Sequence, residues 1–474
     1  MPSKHPSRQE MPCQDPGERI GNFNEVALGF SENHARLEAS RCLNCKNTPC
    51  IDGCPVGIDI RAFLTFVVEG EFKRALEIIK EKNTLPAITG RVCPQEMQCE
   101  AVCTLGKVKN GTPLAIGSVE RFIADWNAMH DTGVVIETPP RTGIEIAVIG
   151  SGPAGLTAAG ELARLGHEVT VFEAFHRAGG VLVYGIPEFR LPKDVLEREI
   201  EFLENLGVRI ELDTVVGKTV EIQELLDDGF KAVFIGTGAG LPRFLGIPGE
   251  GLVGVYSANE FLTRTNLMKA YNFPEYDTPI SVGRHVSVIG GGNVAMDSAR
   301  TALRLGADTV TVFYRRTVKE MPARSAEIDH AIEEGIQFRF LRNPVALIGN
   351  EENRLVSMKL QEMTLGCLDA SGRASCEPVE GKFEKVDTDM VIIAIGSDVN
   401  TICTSSTCNI ETGRRGRIVA MDASQRTTME GVFAAGDAVT GGATVISAMG
   451  DAKKAAKEIH EYITSGTSSN ETSS

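Results

Sequence analysis

The sequence has no excess of positive charge, no long apolar run and no hydrophobic leader. Its 48 Lys and Arg stand against 63 Asp and Glu, a formal net charge of −15, which argues against a nucleic-acid surface. No apolar stretch reaches the roughly 18 to 20 residues of a membrane-spanning helix, and the opening "MPSKHPSRQEMPCQDPGERIGNF" lacks the apolar core of a secretory signal. A cytoplasmic, reducing location is expected, where disulfides are disfavoured and clustered cysteines read as metal-binding or catalytic. There is also no Cys-x-x-Cys between residues 140 and 462, which argues against thiol–disulfide exchange in that long segment.

The chain has 474 residues, enough for two to four domains. Its 42% hydrophobic and 23% charged content is that of a globular protein, and 49 glycines are somewhat many, as expected where backbone must approach ligands closely. Residues 1–30 are polar and contain proline, and read as an extended arm without chemistry. Residues 31–140 carry helical periodicity, as in "AFLTFVVEGEFKRALEIIKEKN". After "ETPPRTG" the texture becomes short β-branched runs alternating with Ala-rich amphipathic segments, the sequence form of a parallel sheet with crossover helices. Residues 463–474, ending "TSGTSSNETSS", read as a disordered tail.

Seven cysteines crowd the helical module. "CLNCKNTPCIDGCP" (42–55) gives Cys42, Cys45, Cys50 and Cys54 in the pattern C-x2-C-x4-C-x3-C-P, and "GRVCPQEMQCEAVC" adds Cys93, Cys99 and Cys103. Zinc sites close with four ligands, so zinc would leave three thiols idle. Tight spacings that end in Cys-Pro are closer to 4Fe-4S binding of the ferredoxin type. Two clusters are the expectation, with zinc or structural thiols the alternative.

The remainder contains an internal repeat. "IAVIGSGPAGLTAAGELARLGHEVTVFEA" (146–174) and "VSVIGGGNVAMDSARTALRLGADTVTVFYRR" (286–316) share strand, glycine turn, helix, "RLG" stop and a "VTVF" strand. In the first copy Gly150, Gly152 and Gly155 give the tight turn, the approach to a pyrophosphate and close helix–strand packing, and Glu173 stands where it would accept bonds from a ribose diol. In the second, Gly290, Gly292 and Ala295 form the G-x-G-x-x-A variant, with Asn293 opening the helix. The position matching Glu173 is Tyr314, followed by Arg315 and Arg316. Guanidinium groups bind a 2′-phosphate that a carboxylate would repel, so this site is expected to prefer NADP(H).

Two more glycine-ended strands, "AVFIGTGAG" (232–240) and "MVIIAIGSD" (390–398), read as crossing points between the two nucleotide domains, and "GVFAAGDAVTGGATVISAMGDAKKAA" follows the second. This order resembles the flavoprotein oxidoreductases in which an NADPH domain is inserted into an FAD domain. The resemblance implies an α/β fold with two Rossmann-like domains behind a helical iron–sulfur domain. Its boundaries are FAD-binding 141–252 and 399–462, with NADPH-binding 253–398 between them. It also implies that Asp437, after Gly436, bonds the ribityl chain of FAD, and that the helix beginning near Thr444 points its positive end at the flavin ring. A hydride is two electrons and a 4Fe-4S cluster takes one, so a flavin placed between them joins the motifs into one path. No catalytic side chain is required.

The cysteine module, "GRVCPQEMQCEAVCTLGKVKNGTPLAIGSVERF", "GGVLVYGIPEFRLPK" (179–193, containing Gly180, a further cofactor-binding candidate), "MPARSAE" (321–327) and "AAGDAVTGGATV" together resemble the glutamate synthase small (beta) subunit family over nearly the whole chain. That family includes the large subunit of the electron-bifurcating NADH-dependent reduced ferredoxin:NADP+ oxidoreductase, to which "KNTPCIDGCPVGIDI" and "AIGSVERF" are most similar. It also includes sulfide dehydrogenase subunits and the electron-input half of dihydropyrimidine dehydrogenase. The resemblance implies FAD, NADP(H) and two clusters, one held by Cys42, Cys45, Cys50 and Cys103, the other by Cys54, Cys93, Cys99 and a non-thiol ligand at the position of Glu120. Cys13, His34, Glu96 and Glu100 are the alternatives for that eighth ligand.

It further implies electron exchange with ferredoxin or with a partner subunit, either an NADH-linked flavin/2Fe-2S subunit or the large subunit of glutamate synthase. Glutamine hydrolysis in that family uses an amino-terminal cysteine, whereas this chain begins Met1-Pro2. A non-enzymatic electron-relay scaffold is the other alternative, disfavoured because both nucleotide motifs keep their discriminating residues. Cys367, Cys376, Cys403 and Cys408 have no assigned role. The anaerobically purified chain is expected to carry one FAD and about eight irons, the content of two four-iron clusters. Stoichiometric zinc, or half that iron, would contradict the cysteine assignment.

Overall fold

The computed structural model describes residues 7–468 apart from 135, 137, 369–373, 408 and 422; Cys408 therefore lies outside the described residues. The cysteine module is built from the helices Glu32–Ala39, Ile60–Glu69, Phe72–Lys80, Pro86–Val92 and Ile116–Met129. Ser31 and Asp59 cap two of them, accepting from the backbone N–H of His34 and Ala62. Phe72, Ala75, Leu76 and Ile79 fall on one face at helical spacing and are buried. Their core is continuous with that of the first nucleotide domain, where Leu156, Leu203 and Ile459 belong to the same apolar cluster. The module is fused to that domain through shared apolar packing.

Each nucleotide motif opens a five-stranded parallel sheet. In the first the strand order is Val432–Ala434, Ala232–Ile235, Glu145–Ile149, Glu168–Phe172, Arg209–Glu211. In the second it is Val255–Ser257, Met390–Ile393, His285–Ile289, Thr309–Tyr314, Gln337–Phe340. The two glycine-ended strands, Ala232–Ile235 and Met390–Ile393, thus pair with the motif-bearing strand of their own sheets. Beyond them the chain forms a two-stranded antiparallel ribbon, Leu241–Pro242 against Ser397–Asp398, pinned by Arg243 on Asp398 at 2.6 Å. This ribbon is the double crossing of an inserted domain. The second domain has a core of its own around Val288, Met296, Val312 and Ile392.

Three features differ from the sequence reading. A three-stranded antiparallel sheet, Arg342–Gly349, Leu355–Leu368 and Ala374–Asp387, grows from the second domain. Its middle strand is largely buried from Leu355 to Met363, with Val356 and Lys359 exposed, and runs out into solvent from Thr364 on. The arm 1–30 is packed over its described part: Val26 N–H donates to Phe189 O at 2.9 Å, and Arg19 is 1% exposed. At the other end the helix Val445–Ser468 continues past 462, where the tail was expected to begin; residues 469–474 lie outside the described residues.

Arg19 is buried because it enters a lattice of charges. Glu334 accepts from Arg19 Nε (2.7 Å), Arg300 Nη2 (2.8 Å) and Arg304 Nη1 (2.7 Å), while Glu333 takes the other arm of Arg19 at 2.7 Å. Glu327 bonds Arg300 and, at 3.1 Å, Arg190, whose Nη1 also lies 2.7 Å from Asp297. The guanidinium groups of Arg300 and Arg304 lie over the ring of Phe189. The lattice therefore joins the arm, the "PEFR" segment of the first domain and two helices of the second. Burial alone would raise the Glu334 pKa, but hydrogen bonds from Arg304 and Arg300 bring it down to about 2. A depressed carboxylate pKa stabilises the fold above the unfolded value near 4.3, and that contribution is lost as pH falls toward 2. Glu334→Gln is expected to cost about 3–5 kcal/mol, because it strands three arginines, and to flatten the acid limb of stability between about pH 4 and 2. Urea unfolding at several pH values measures both; a loss under about 1 kcal/mol would show that the lattice is not a clamp.

Candidate functional site

The first glycine turn is shaped for a dinucleotide. Gly150 has φ +93°, and a Cβ there would lie 2.8 Å from Gly236 O; a Cβ on Gly155 would lie 1.8 Å from Gly150 O. A Cβ on Gly152 would meet no atom within 4 Å, leaving the open approach that a pyrophosphate needs. Gly180, at φ +53°, brings its backbone against Gly152, with its virtual Cβ 2.7 Å from Gly152 Cα. Glu173 is buried at the end of its strand. Its Oε2 accepts from Ser151 N and Oγ at 2.9 and 2.5 Å, and its Oε1 accepts from Phe175 N at 2.9 Å.

On the far side of the turn, Gly436 packs toward Ala154 and Ala448. Asp437 accepts from Ala443 N at 3.1 Å, and burial lifts its pKa to about 6. Thr444 caps the helix Val445–Ser468, its Oγ1 accepting from Ser447 N at 3.2 Å. Tyr184 was not singled out from sequence. Burial, then the charges of Asp437 and Glu173, push its phenol up to about 12. The residues fit FAD: a glycine cradle lies between Glu173 and Asp437, the two carboxylates expected to meet its ribose and ribityl hydroxyls.

The second turn repeats the geometry. A Cβ on Gly290 would lie 2.3 Å from Ala394 O, whereas one on Gly292 would meet only Pro322 Cγ at 3.8 Å. Ala295 is fully buried. Asn293 Oδ1 accepts from the backbone N–H of Arg324 at 2.9 Å. The two arginines after Tyr314 part company. Arg315 is exposed, while Arg316 is buried and its Nε donates to Ala374 O in the antiparallel sheet at 2.6 Å. The sequence paired them as equal phosphate readers; the structure gives one a second task.

The seven thiols fall into two groups. Cys42, Cys45, Cys50 and Cys103 line one cavity with Leu43, Ile60 and Leu105, and Arg61 is the one formal charge among its lining residues. Burial, then Cys42 and Cys103, push the Cys50 thiol up to about 11. Cys54, Cys93 and Cys99 are close enough to Glu120, and to each other, to act on one another's charge, and burial raises all three thiols. Glu120 is buried; Thr89 Oγ1 at 2.6 Å and Asn83 Nδ2 at 2.9 Å both donate to its Oε1. Burial raises its pKa to about 7 against the pull of those bonds.

Of the alternatives for an eighth ligand, three are engaged: Arg8 holds Glu100 at 2.7 Å, Arg324 holds Glu96 at 3.3 Å, and Cys13 lies 3.8 Å from His330; His34 meets Phe30 edge-on, and its buried Nδ1 has no hydrogen-bond partner. No three described His, Cys, Asp or Glu side chains converge as one metal ion requires; the first group instead rings a space, the donor set of a larger cluster. Cys403 is simply buried, and Cys376 bonds the Arg315 carbonyl at 3.3 Å.

The comparisons agree with this division. The family described as dihydropyrimidine dehydrogenase domain II, 4Fe-4S cluster, matches residues 19–132, and the pyridine nucleotide-disulphide oxidoreductase family matches residues 144–456. The glutamate synthase [NADPH] small chain of Azospirillum brasilense is 37% identical over 463 residues, covering 96% of this chain and 94% of that one. The NADP(+)-dependent formate dehydrogenase subunit beta of Moorella thermoacetica is 38% identical, covering 89% of this chain and 60% of that one. FprA of Mycobacterium tuberculosis in complex with NADPH shares the fold, with a TM-score of 0.56 and 21% identity over 69% of this chain and 86% of that one.

The chain belongs to the pyridine nucleotide-disulphide oxidoreductase family, in the group of the glutamate synthase small chains. It is an NADPH-linked oxidoreductase that uses FAD and 4Fe-4S clusters. Among the described residues no helix is long and apolar enough to cross a membrane. If Arg315 reads the 2′-phosphate, Arg315→Ala weakens NADPH binding about 10- to 100-fold, the worth of one or two charged bonds, and leaves NADH binding unchanged. Titration of each nucleotide by fluorescence checks this; equal losses would remove Arg315 from the site.

Proposed function

We propose that the chain accepts a hydride from NADPH, or returns one to NADP+, at the second glycine site. Electrons then pass singly through the Cys54/Cys93/Cys99/Glu120 site and the Cys42/Cys45/Cys50/Cys103 site to a partner subunit or ferredoxin. Bound FAD supplies the conversion between two-electron and one-electron transfer. The observation that carries this reading is at Gly450. A Cβ there would lie 2.7 Å from the carbonyl oxygen of Pro55, so the residue following Cys54 rests directly on the helix that Thr444 caps. The same element thus touches the backbone next to Cys54 and presents its N-terminus beside Asp437. The protein's own residues do positioning work: Gly152 and Gly292 admit pyrophosphates, Glu173 and Asp437 orient FAD, and shared apolar packing holds the module in place.

Two assemblies suit such a chain. The wording of the cysteine module favours the large subunit of an electron-bifurcating NADH-dependent reduced ferredoxin:NADP+ oxidoreductase. The near end-to-end match to glutamate synthase small chains favours that enzyme's small subunit instead. Anaerobic co-purification at native level distinguishes them by the partner retained: an NADH-linked flavin/2Fe-2S subunit, or a large glutamate synthase chain. Recovery of the chain alone would count against both. Glu120→Ala is expected to alter or remove one cluster selectively, since a carboxylate is a harder ligand than thiolate, while FAD content and NADPH-driven flavin bleaching persist. Unchanged paramagnetic resonance spectra and iron content would eliminate Glu120 as a ligand.

A further inference from the structure

The "MPARSAE" motif is not accounted for by nucleotide binding or by cluster ligation alone, yet its arginine touches both regions. Arg324 donates its backbone N–H to Asn293 Oδ1 at 2.9 Å, at the first turn of the helix that opens the second glycine site. Its guanidinium reaches the other way, into the cysteine module. Nη1 donates to Arg91 O at 3.0 Å, Nη2 to Gln95 Oε1 at 3.0 Å, and Nε pairs with Glu96 at 3.3 Å. Arg91 lies two residues before Cys93, and Gln95 and Glu96 lie between Cys93 and Cys99.

The contact continues inward. Gln95 is buried, its Nε2 donates to Thr89 O at 3.3 Å, and Thr89 Oγ1 donates to Glu120 at 2.6 Å. Gln95 is also clamped from behind, since a Cβ on Gly117 would stand 2.1 Å from its Nε2. An unbroken set of hydrogen bonds therefore runs from the nucleotide helix to the buried carboxylate beside the second thiol group.

We propose that Arg324 is a positioning residue through which occupancy of the NADP(H) site sets the reduction potential of the second cluster. The inference rests on the nucleotide site and ligand set proposed above. A pyrophosphate bound at Gly292 and Asn293 fixes the residue that holds the Arg324 backbone, and so fixes the guanidinium against the Cys93–Cys99 loop. A reduced cluster carries one more negative charge than an oxidised one, so a fixed cation there favours the reduced state. Linkage makes the effect reciprocal: the nucleotide binds more tightly to the protein whose second cluster is reduced, by the same factor.

The test is an anaerobic redox titration of the full-length holoprotein, followed by paramagnetic resonance, with and without 2′-phospho-ADP-ribose. This probe carries the pyrophosphate and the 2′-phosphate but no reducible ring. The expected result is a rise in the second cluster's midpoint corresponding to about tenfold tighter binding to the reduced state, or ~59 mV for a one-electron couple. The first cluster's midpoint is expected to stay in place. Arg324→Ala lowers the midpoint and abolishes the shift, and Arg324→Lys, which keeps charge without the fork, restores part of it. Gln95→Ala, which leaves the Asn293 bond intact, also reduces the shift, and it decides the matter if Arg324→Ala loses iron. A full shift in either alanine variant overturns the proposal, as does no shift in the wild type when both clusters are present and the probe binds. Absence of eight irons or of probe binding in the wild type would instead overturn the site assignment on which it rests.

Discussion

Glu334 is the residue on which the relative placement of the parts depends. It is a buried carboxylate shared by three arginines from two separate stretches of chain, and an unpaired charge at that depth is too costly to persist. Each arginine fork is planar and fixed, so satisfying Glu334 together with Glu327 and Asp297 leaves little freedom in how the arm, the "PEFR" segment and the two helices meet. Hydride transfer between two bound rings demands such placement. The domain carrying NADP(H) is covalently tied to the other only by the thin Leu241–Pro242/Ser397–Asp398 ribbon, which by itself could act as a hinge. The ion lattice and the Arg324 contacts close the angle that the ribbon leaves open.

The cysteine module is attached differently. It shares one apolar core with the first nucleotide domain, and Gly450 lets the Cys54–Pro55 backbone rest on the helix behind the flavin site. Buried ion pairs join the two nucleotide domains, and a shared apolar core joins the cysteine module to the first of them. This follows from what each contact does: exchange of NADP(H) requires an accessible site, whereas single-electron transfer benefits from a permanently short, dry separation.

The glycine turns were legible because their chemistry is local: Gly150, Gly152 and Gly155 need only a strand before them and a helix after. Glu173 was legible for the same reason. The grouping of the cysteines came from family resemblance, and the structure brings Cys42, Cys45, Cys50 and Cys103 to one cavity. The burial of the arm could not be read, since "DPGERIGNF" is polar along its length and Arg19 finds its partners more than 300 residues away. The bond from Arg316 to Ala374 O could not be read, because its acceptor belongs to an antiparallel insertion that the repeat of strand and helix does not announce. The apolar and polar alternation of "VSMKLQ" (356–361) was a usable signal for that insertion. Tyr184 lies in a segment noted only for its wording, and nothing in its neighbours' identity tells that Asp437 folds back toward it.

In the proposed function the electron path runs from the NADP(H) site to FAD, then to the second thiol group and the first. The central claim is that the flavin stands between nucleotide and clusters, with Gly450 setting the next step. Rapid mixing of NADPH with the anaerobic protein, followed optically and by freeze-quenched paramagnetic resonance, tests it most directly. The account predicts flavin bleaching first and reduced-cluster signals second. In Gly450→Val, whose side chain must displace the Pro55 carbonyl, only the second step is expected to slow. Cluster reduction that keeps pace with or precedes flavin bleaching, or a Gly450→Val variant slowed equally in both steps, would contradict it.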